Sequence, residues 1–389
     1  MAGPECHCLS DGRKITLDCC HQTGLQTCKR FTLFSFSSPR VASIVTGTTA
    51  HRPPAAHGIS RRQALLAGLG CLLPTGAVAA RAHALSSLTV LTFAGRIAQT
   101  QKKVLFAPYS RLSGHPLRCK VWNGEPRALR QEEEHAPHSL ATVMMECSSL
   151  QIACEMGLLA KETDSHHQTV CSTPSVSIDY AMAWDRFRFD VPPGWADFWD
   201  VARHPGRRSL RRDPRTTLEI ALLADGIPAD ALYRVLSSHD GLNRAFMKLD
   251  QIRPYIAWWS TPEEAGQILL SGGALMGLVP TGEILGAQSD SGDKFGIRWQ
   301  QRLLVQYGWG VPRHAAHNNA CLALTSWLEQ PAQKQAFANA WPSLPSMQDI
   351  AAAGGALSPL PPATVVDDSF WSQNLSTIAE RFHHWAARS

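Results

Sequence analysis

The sequence is poor in charge, in tyrosine and in long apolar runs. Only 18% of its 389 residues are charged, and five are tyrosine. No stretch reaches the roughly 18–20 apolar residues that a membrane span needs. It contains no G-x-S-x-G, no H-E-x-x-H and no glycine-rich phosphate loop, the patterns by which common hydrolase, zinc-protease and nucleotide sites are read. Internal repeats and low-complexity tracts are also lacking. The net charge of +5 invites a nucleic-acid reading, but its distribution removes it. Residues 1–84 carry nine Lys/Arg against three acids; subtracting these from 37 and 32 leaves 28 basic and 29 acidic residues for the rest. A near-neutral body has no bulk electrostatic reason to seek phosphate backbones, so no nucleic-acid partner is expected. With 44% hydrophobic residues the body has ample material for a core, and its length favours two lobes or domains.

Ser60-Arg61-Arg62-Gln63 precedes a short apolar run, Ala64 to Leu73, then small residues and Ala82-His83-Ala84. This order reads as a positive region, an apolar region and a cleavage site, and the paired arginines resemble a twin-arginine export signal over 60–84, cleaved near Ala84. Residues 1–59 precede it and hold five of the eleven cysteines (Cys6, Cys8, Cys19, Cys20, Cys28). They show no helical or alternating period and read as an extension absent from the mature, periplasmic protein. Cleavage leaves Cys119, Cys147, Cys154, Cys171 and Cys321. Export permits disulfides. Cys154 and Cys171 are close enough to staple one loop, and one such bridge is expected, with buried free thiols as the alternative.

The body alternates between strand and helix patterns, which argues for an α/β fold with parallel strands. Strands are expected at Leu88 to Thr92, Leu117 to Trp122, Val143 to Glu146, Val176 to Trp184, Tyr255 to Trp259, Ala274 to Val279, Phe295 to Trp299 and Leu303 to Tyr307. Helices are expected at Ile97 to Ser110, Glu125 to Glu134, Leu150 to Leu159 with Ser148 or Ser149 as cap, Thr217 to Asp225, Leu242 to Ile252, Pro262 to Ser271, Cys321 to Leu328, Pro331 to Trp341 and Phe370 to Ala387. In such sheets ligands bind at the carboxyl ends of strands, which singles out Phe93, Ala94, Glu146, Ser148 and Ser149. The five arginines between Arg207 and Arg215 read as a solvated loop. Trp195, Trp199, Trp371 and Trp385 recur at helical spacing and read as core. His166-His167 and His383-His384 are adjacent pairs whose side chains diverge, so no metal clamp is read there.

Several segments together resemble one family. Gly194-Trp-Ala-Asp-Phe-Trp-Asp-Val201, Pro205-Gly-Arg-Arg-Ser-Leu210, Thr217-Leu-Glu-Ile-Ala-Leu-Leu-Ala-Asp-Gly226, Lys248-Leu-Asp-Gln-Ile-Arg-Pro254 with Trp258-Trp259, and Phe370-Trp371 with Arg381-Phe382 and Trp385 are similar to the periplasmic substrate-binding proteins of ABC transporters, in the spermidine/putrescine-binding group. The resemblance implies a two-lobed type II periplasmic binding protein fold with two crossover hinge segments, near Tyr180 to Trp184 and Arg302 to Tyr307. Lobe 1 would hold 85–180 and 308–389, and lobe 2 would hold 181–307. It implies a monomeric receptor that captures a polyamine-like organic cation by hinge closure and delivers it to an inner-membrane ABC permease, with no cofactor and no catalytic set. Implied ligand-binding residues are Phe93, Glu146, Asp179, Trp258, Trp259, Thr281, Glu283 and Trp309. Trp258 and Trp259 point to opposite strand faces, so only one can line the cleft. Glu283 stands where many members have Arg, which argues against a carboxylate ligand. The rivals are a ferric receptor, for which five non-adjacent tyrosines are a poor basis, an exported enzyme on a related two-lobed fold, and a paralogue that folds without binding.

Overall fold

The computed structural model describes three strand segments, 6–11, 14–19 and 29–34, and residues 85–388 apart from 137, 164–168, 292–293 and 342–361. Residues 1–79 and 80–389 are separate units. In the first unit β1 (Cys6–Asp11), β2 (Lys14–Cys19) and β3 (Lys29–Phe34) form an antiparallel sheet in that order. The sequence shows an alternation here that is easily passed over: Ile15, Leu17 and Cys19 alternate with Lys14, Thr16 and Asp18 in β2. The expected export signal, 60–84, lies outside the described residues, as do both residues of the His166-His167 pair.

The second unit is built on one mixed nine-stranded sheet. Its elements begin with β4 (Leu88–Thr92), α1 (Gly95–Gln101), α2 (Ala107–Ser113), β5 (Leu117–Val121), α3 (Pro126–His135), β6 (Leu140–Glu146) and α4 (Cys147–Glu155). The hairpin β7 (Glu162–Thr163) and β8 (Thr169–Val170) leads to β9 (Pro174–Asp185). Then come α5 (Trp195–Trp199), β10 (Arg208–Arg211), α6 (Pro214–Ala224), α7 (Leu232–Leu236), α8 (His239–Asp250), β11 (Ile256–Trp259), α9 (Pro262–Leu270), β12 (Met276–Pro280) and α10 (Thr281–Ser291). The chain closes with β13 (Phe295–Gly310), α11 (Asn319–Leu328), α12 (Pro331–Ala340), β14 (Thr364–Val365) and α13 (Asp368–Ala386).

Strand order explains the architecture. It runs β11-β10-β12-β9-β13-β6-β4-β5, with β14 added to β13. β4, β5 and β6 pair in parallel at one end, and β10 pairs in parallel with β11 and β12 at the other. The long strands β9 and β13 run antiparallel through the middle and belong to both halves. Their pairing slips between Arg298 and Leu303, a bulge that bends the crossing. Every residue of β6 and β12 is buried, as a strand covered on both faces requires.

Most expected elements stand within a few residues of their places. Three differ for physical reasons. The helix expected from Ile97 is α1 and α2 joined by a π-helical segment, Lys102–Phe106, so it winds on without stopping. The arginine-rich stretch read as a solvated loop holds β10, and Arg208 is wholly buried, donating to the carbonyls of Phe198, Gly206, Asp200 and His204. A guanidinium carries five N–H donors, enough to satisfy a cluster of loop carbonyls that no other side chain would reach. Neither Ser148 nor Ser149 caps α4; both lie inside it, and the Ser148 N–H donates to Asp368 of α13 at 2.9 Å.

Trp195, Trp199, Trp371 and Trp385 are buried, consistent with their helical spacing. Helix α13 buries Phe370, Trp371, Leu375, Ile378, Phe382 and Trp385 along one stripe. It packs on β11 and α8 through Phe382 and Trp385, and Asp367 caps its first turn. Cys154 and Cys171 are joined in a disulfide with Cα atoms 5.8 Å apart.

Two predictions follow from this packing. The disulfide closes a loop of sequence separation 17. Cys154→Ser with Cys171→Ser is expected to cost about 3 kcal/mol, read as a lower urea midpoint. Glu219 of α6 is wholly buried, and its Oε1 accepts from Trp371 Nε1 at 2.7 Å and from the Tyr233 hydroxyl at 3.1 Å. Burial pushes its carboxyl up from 4.5 to about 7, although those hydrogen bonds oppose the shift. The folded chain therefore holds a proton that the unfolded chain releases, and stability falls as pH rises through that window, levelling above it. Glu219→Gln is expected to flatten the decline of melting temperature between about pH 4.5 and about pH 7.

Candidate functional site

Strands β6 and β10 end in opposite charges. Glu146 is the last residue of β6, in one half of the sheet, and Arg211 the last of β10, in the other. Each is followed closely by a helix, the strand-to-helix junction at which ligands of α/β sheets bind. Arg211 Nη2 lies 2.6 Å from Glu146 Oε1. Arg215, at the start of α6, reaches the same carboxylate, with Nη1 3.2 Å from Oε2. It also donates to Ser149 Oγ at 2.6 Å, to Glu125 Oε1 at 3.0 Å and to both oxygens of Asp213 at 2.9 and 2.6 Å. Both guanidinium groups are almost fully buried.

Burial works against the charge of both arginines. Glu146 and Asp213 outweigh it and hold both guanidinium groups firmly protonated. Burial likewise works against the Asp213 carboxylate, but Arg215 and Arg211 hold it well below the usual range. One buried donor of the cluster, Arg211 Nη1, has no partner among the described residues. Arg211 also contributes to the lining of a cavity of about 1210 Å³, with Glu125, Arg212, Asp213, Ser260 and Glu380, whereas Glu146 does not line it.

A row of aromatic rings crosses between the halves next to this cluster. Phe93, following β4, meets Tyr307 of β13 edge to face at 5.5 Å. The hydroxyls of Tyr307 and Tyr180 are 2.6 Å apart. Tyr180 stacks on Trp259 at 6.1 Å, and the Arg211 guanidinium lies 6.0 Å from the centre of the Trp259 ring. Burial holds both phenols protonated. The Cys147 thiol is also held protonated, by burial and by the carboxylates of Asp368 and Glu146, which leaves it a poor nucleophile.

Among the residues expected to line the cleft, Phe93, Glu146 and Trp259 come together here. Glu283 and Thr281, at the start of α10, are buried close by. Glu283 is directed to Arg96 of α1; burial pushes its carboxyl up to about 7, against the pull of the Arg96 guanidinium and backbone N–H. Thr281 Oγ1 is buried without a partner among the described residues. Three others lie elsewhere. Trp258 faces Phe382 and Trp385 of α13, as the opposite faces of a strand require. Trp309 packs under the π-helical segment against Phe106. Asp179, on the crossing strand β9, is engaged by Arg302 of β13 at 2.8 Å.

Arg211, Arg215, Asp213, Tyr180 and Tyr307 are absent from the expected set. The signal for the first three is Asp213-Pro214, a helix cap followed by a first-turn proline. Read that way, Arg211 stands at a strand end just as Glu146 does. No comparable signal marks the tyrosines, because the two crossing strands meet only through the register of β9 with β13.

The comparisons with known proteins agree with this architecture. The family described as bacterial extracellular solute-binding protein matches residues 133–363. The gamma-aminobutyric acid-binding protein of Pseudomonas aeruginosa is 31% identical over 333 residues, covering 80% of this chain and 94% of the relative. A solved GABA receptor is 26% identical, covers 78% of this chain and 98% of its own, and superposes with a TM-score of 0.61. The PBP MotA of A. tumefaciens B6, solved in complex with glucopine, shares the fold at 21% identity, with a TM-score of 0.67 over 77% of this chain and 99% of its own. The curated relative is named for an amino acid rather than a polyamine, so the expected receptor family stands while its polyamine subgroup does not follow. On the extent of both matches, the chain belongs to the bacterial extracellular solute-binding proteins, receptors for small solutes outside the cytoplasm.

Proposed function

We propose that the chain is the exported receptor of an ABC importer, that it takes a small zwitterion carrying a carboxylate and an amine at opposite ends, and that it hands this solute to a membrane permease. The observation that carries the reading is the buried Arg211–Glu146 pair, with Arg211 Nη1 buried and without a partner among the described residues. A zwitterion inserted into that pair divides it: the carboxylate goes to Arg211 and the ammonium to Glu146. Neither buried charge then loses its counterpart, which is the condition under which buried ions are tolerated. The rings of Tyr180, Tyr307, Phe93 and Trp259 supply apolar faces for the methylenes between the two charges. A dicationic polyamine fits less well, because it would set a second positive charge against two fully protonated arginines. The names of the GABA-binding relatives point the same way.

In this reading the two sheet halves are lobes that close by bending β9 and β13 at the bulge after Arg298. A solute stabilises the closed form by its differential affinity for it. The paired Arg61-Arg62 leader would place the receptor outside the cytoplasm through the twin-arginine route, with the mature chain starting after Ala84.

A thermal-shift panel of ω-amino acids, α-amino acids, opines and polyamines tests the ligand class. The melting temperature is expected to rise with an ω-amino acid such as γ-aminobutyrate and to stay unchanged with putrescine and spermidine. The reverse pattern would sink the reading, and a chain stabilised by nothing would be a non-binding relic. Arg211→Gln is expected to weaken binding of the active solute at least about thirtyfold, ~2 kcal/mol or more, by titration calorimetry.

A further inference from the structure

The cavity of about 1210 Å³ carries more positive charge on its wall than the buried cluster uses. Arg127 and Arg130 of α3 and Arg212, which follows β10, all line it. Their side chains are exposed and have no partner among the described residues. The acids on the same wall do not answer them. Glu125 and Asp213 are already engaged by Arg215, which leaves Glu380 of α13 as the remaining lining carboxylate. Three guanidinium groups against one carboxylate leave two positive charges.

Helix α3 begins at this wall. Its first residues, Pro126, Arg127 and Ala128, line the cavity together with Glu125 at the N-cap position. A cap side chain ordinarily satisfies free N–H groups of the first turn. Here α3 has no side-chain cap, and the Glu125 carboxylate reaches Arg215 at 3.0 Å instead. The first turn holds no acid either. Pro126 has no N–H, so Arg127 and Ala128 present theirs uncapped at the positive end of a ten-residue helix, an arrangement suited to an anion. Arg211 adds an independent observation. It lines the same cavity, is 7% exposed, and its buried Nη1 has no partner among the described residues. A buried donor left unpaired is unfavourable, and an acceptor arriving from outside the chain relieves it.

We propose that this cavity is a second binding compartment, for an oxyanion carrying two negative charges, a phosphate monoester or a dicarboxylate, held by the start of α3 with Arg127, Arg130 and Arg212. It does not rest on the zwitterion reading, since neither the start of α3 nor the three exposed arginines belong to the Glu146 cluster. A dianion neutralises the two surplus charges, and the guanidinium fork matches carboxylate and phosphate alike. The anion has two sources: a free ion, or the charged tail of a solute whose other end reaches Arg211. The volume exceeds the roughly 300–1,000 Å³ of ordinary small-molecule sites and leaves room for either.

The test titrates inorganic phosphate, succinate and O-phosphoserine separately, at constant ionic strength, into protein freed of solute by unfolding and refolding, and reads the heat. Saturable binding at one site per chain is expected for phosphate or succinate. Arg127→Glu combined with Arg130→Gln is expected to weaken it at least about tenfold, and Arg212→Gln several-fold. Arg127→Glu also separates binding from folding. An acid in the first turn favours the helix, so the melting temperature without anion is expected to hold or rise while the anion is lost. Arg234→Gln removes the same charge from an exposed position on α7 that does not line the cavity, and is expected to leave binding unchanged. O-phosphoserine joins a zwitterion to a phosphate and distinguishes the sources. It binds at least about tenfold tighter than phosphate if the anion is a solute's tail, and no tighter if it is a free ion. No saturable binding of any of the three, cavity variants that bind as wild type does, or an Arg234→Gln loss as large as theirs would each overturn the compartment. The anions phosphate and succinate carry no amine, so their failure leaves the zwitterion reading standing, and a failed panel of amino acids leaves the compartment standing.

Discussion

A single carboxylate, Glu146, holds two buried guanidinium groups at the meeting of the sheet halves, and much of the surrounding structure follows from that. Three charges so far from water are tolerable only with their partners in place. Asp213, Glu125 and Ser149 are those partners, and each sits at or beside a strand-to-helix junction. Beside this cluster Thr216 takes a positive φ, and α1 approaches α10 where Arg96 meets Glu283. In the proposed reading, a ligand that carries both signs of charge enters this cluster without changing the balance of buried charge.

Helix α13 links this cluster to the rest of the molecule. Its Asp368 accepts from the first turn of α4, next to Glu146, while its Trp371 donates to Glu219 of α6, next to Arg215. Burial and the proximity of Glu146 push the Asp368 carboxyl up to about 7, and burial does the same for Glu219 and Glu283. Two buried carboxyls, Glu219 and Glu283, and the half-buried Asp368 are thus raised toward neutrality around the crossing region. The protonation state of the crossing region is set by burial more than by any single neighbour.

Much of the body was legible in the sequence because periodicity is local. Strands such as Leu88–Thr92 and helices such as Pro262–Leu270, with its Thr261 and Glu264 capping box, carry their boundaries in adjacent residues. The rule that ligands gather at strand ends singles out Glu146 and Phe93, and a recognisable segment singles out Trp259; the structure brings the three near one another. The arginines from 207 to 215 were misread for the opposite reason. A cluster of like charges has an exposed look in one dimension, and only distant carbonyls and carboxylates make its burial affordable. Trp258 and Trp309 were named for their type and neighbours, and the faces they present depend on where α13 and the π-helical segment pack.

The sequence by itself determined most strands and helices from residue 88 onward, the receptor family and the carboxylate at the end of β6, since each rests on residues near one another in the chain; β1 to β3 and β10 were not read from it. Only the tertiary structure decided which charges meet. Glu146, Arg211 and Arg215 are brought within hydrogen-bonding distance by two strands that cross the sheet, and Tyr180 meets Tyr307 through the register of β9 with β13. Contacts between groups so far apart in sequence have no local period or cap to announce them; their energy comes from burial and charge pairing that exist only once the sheet has formed.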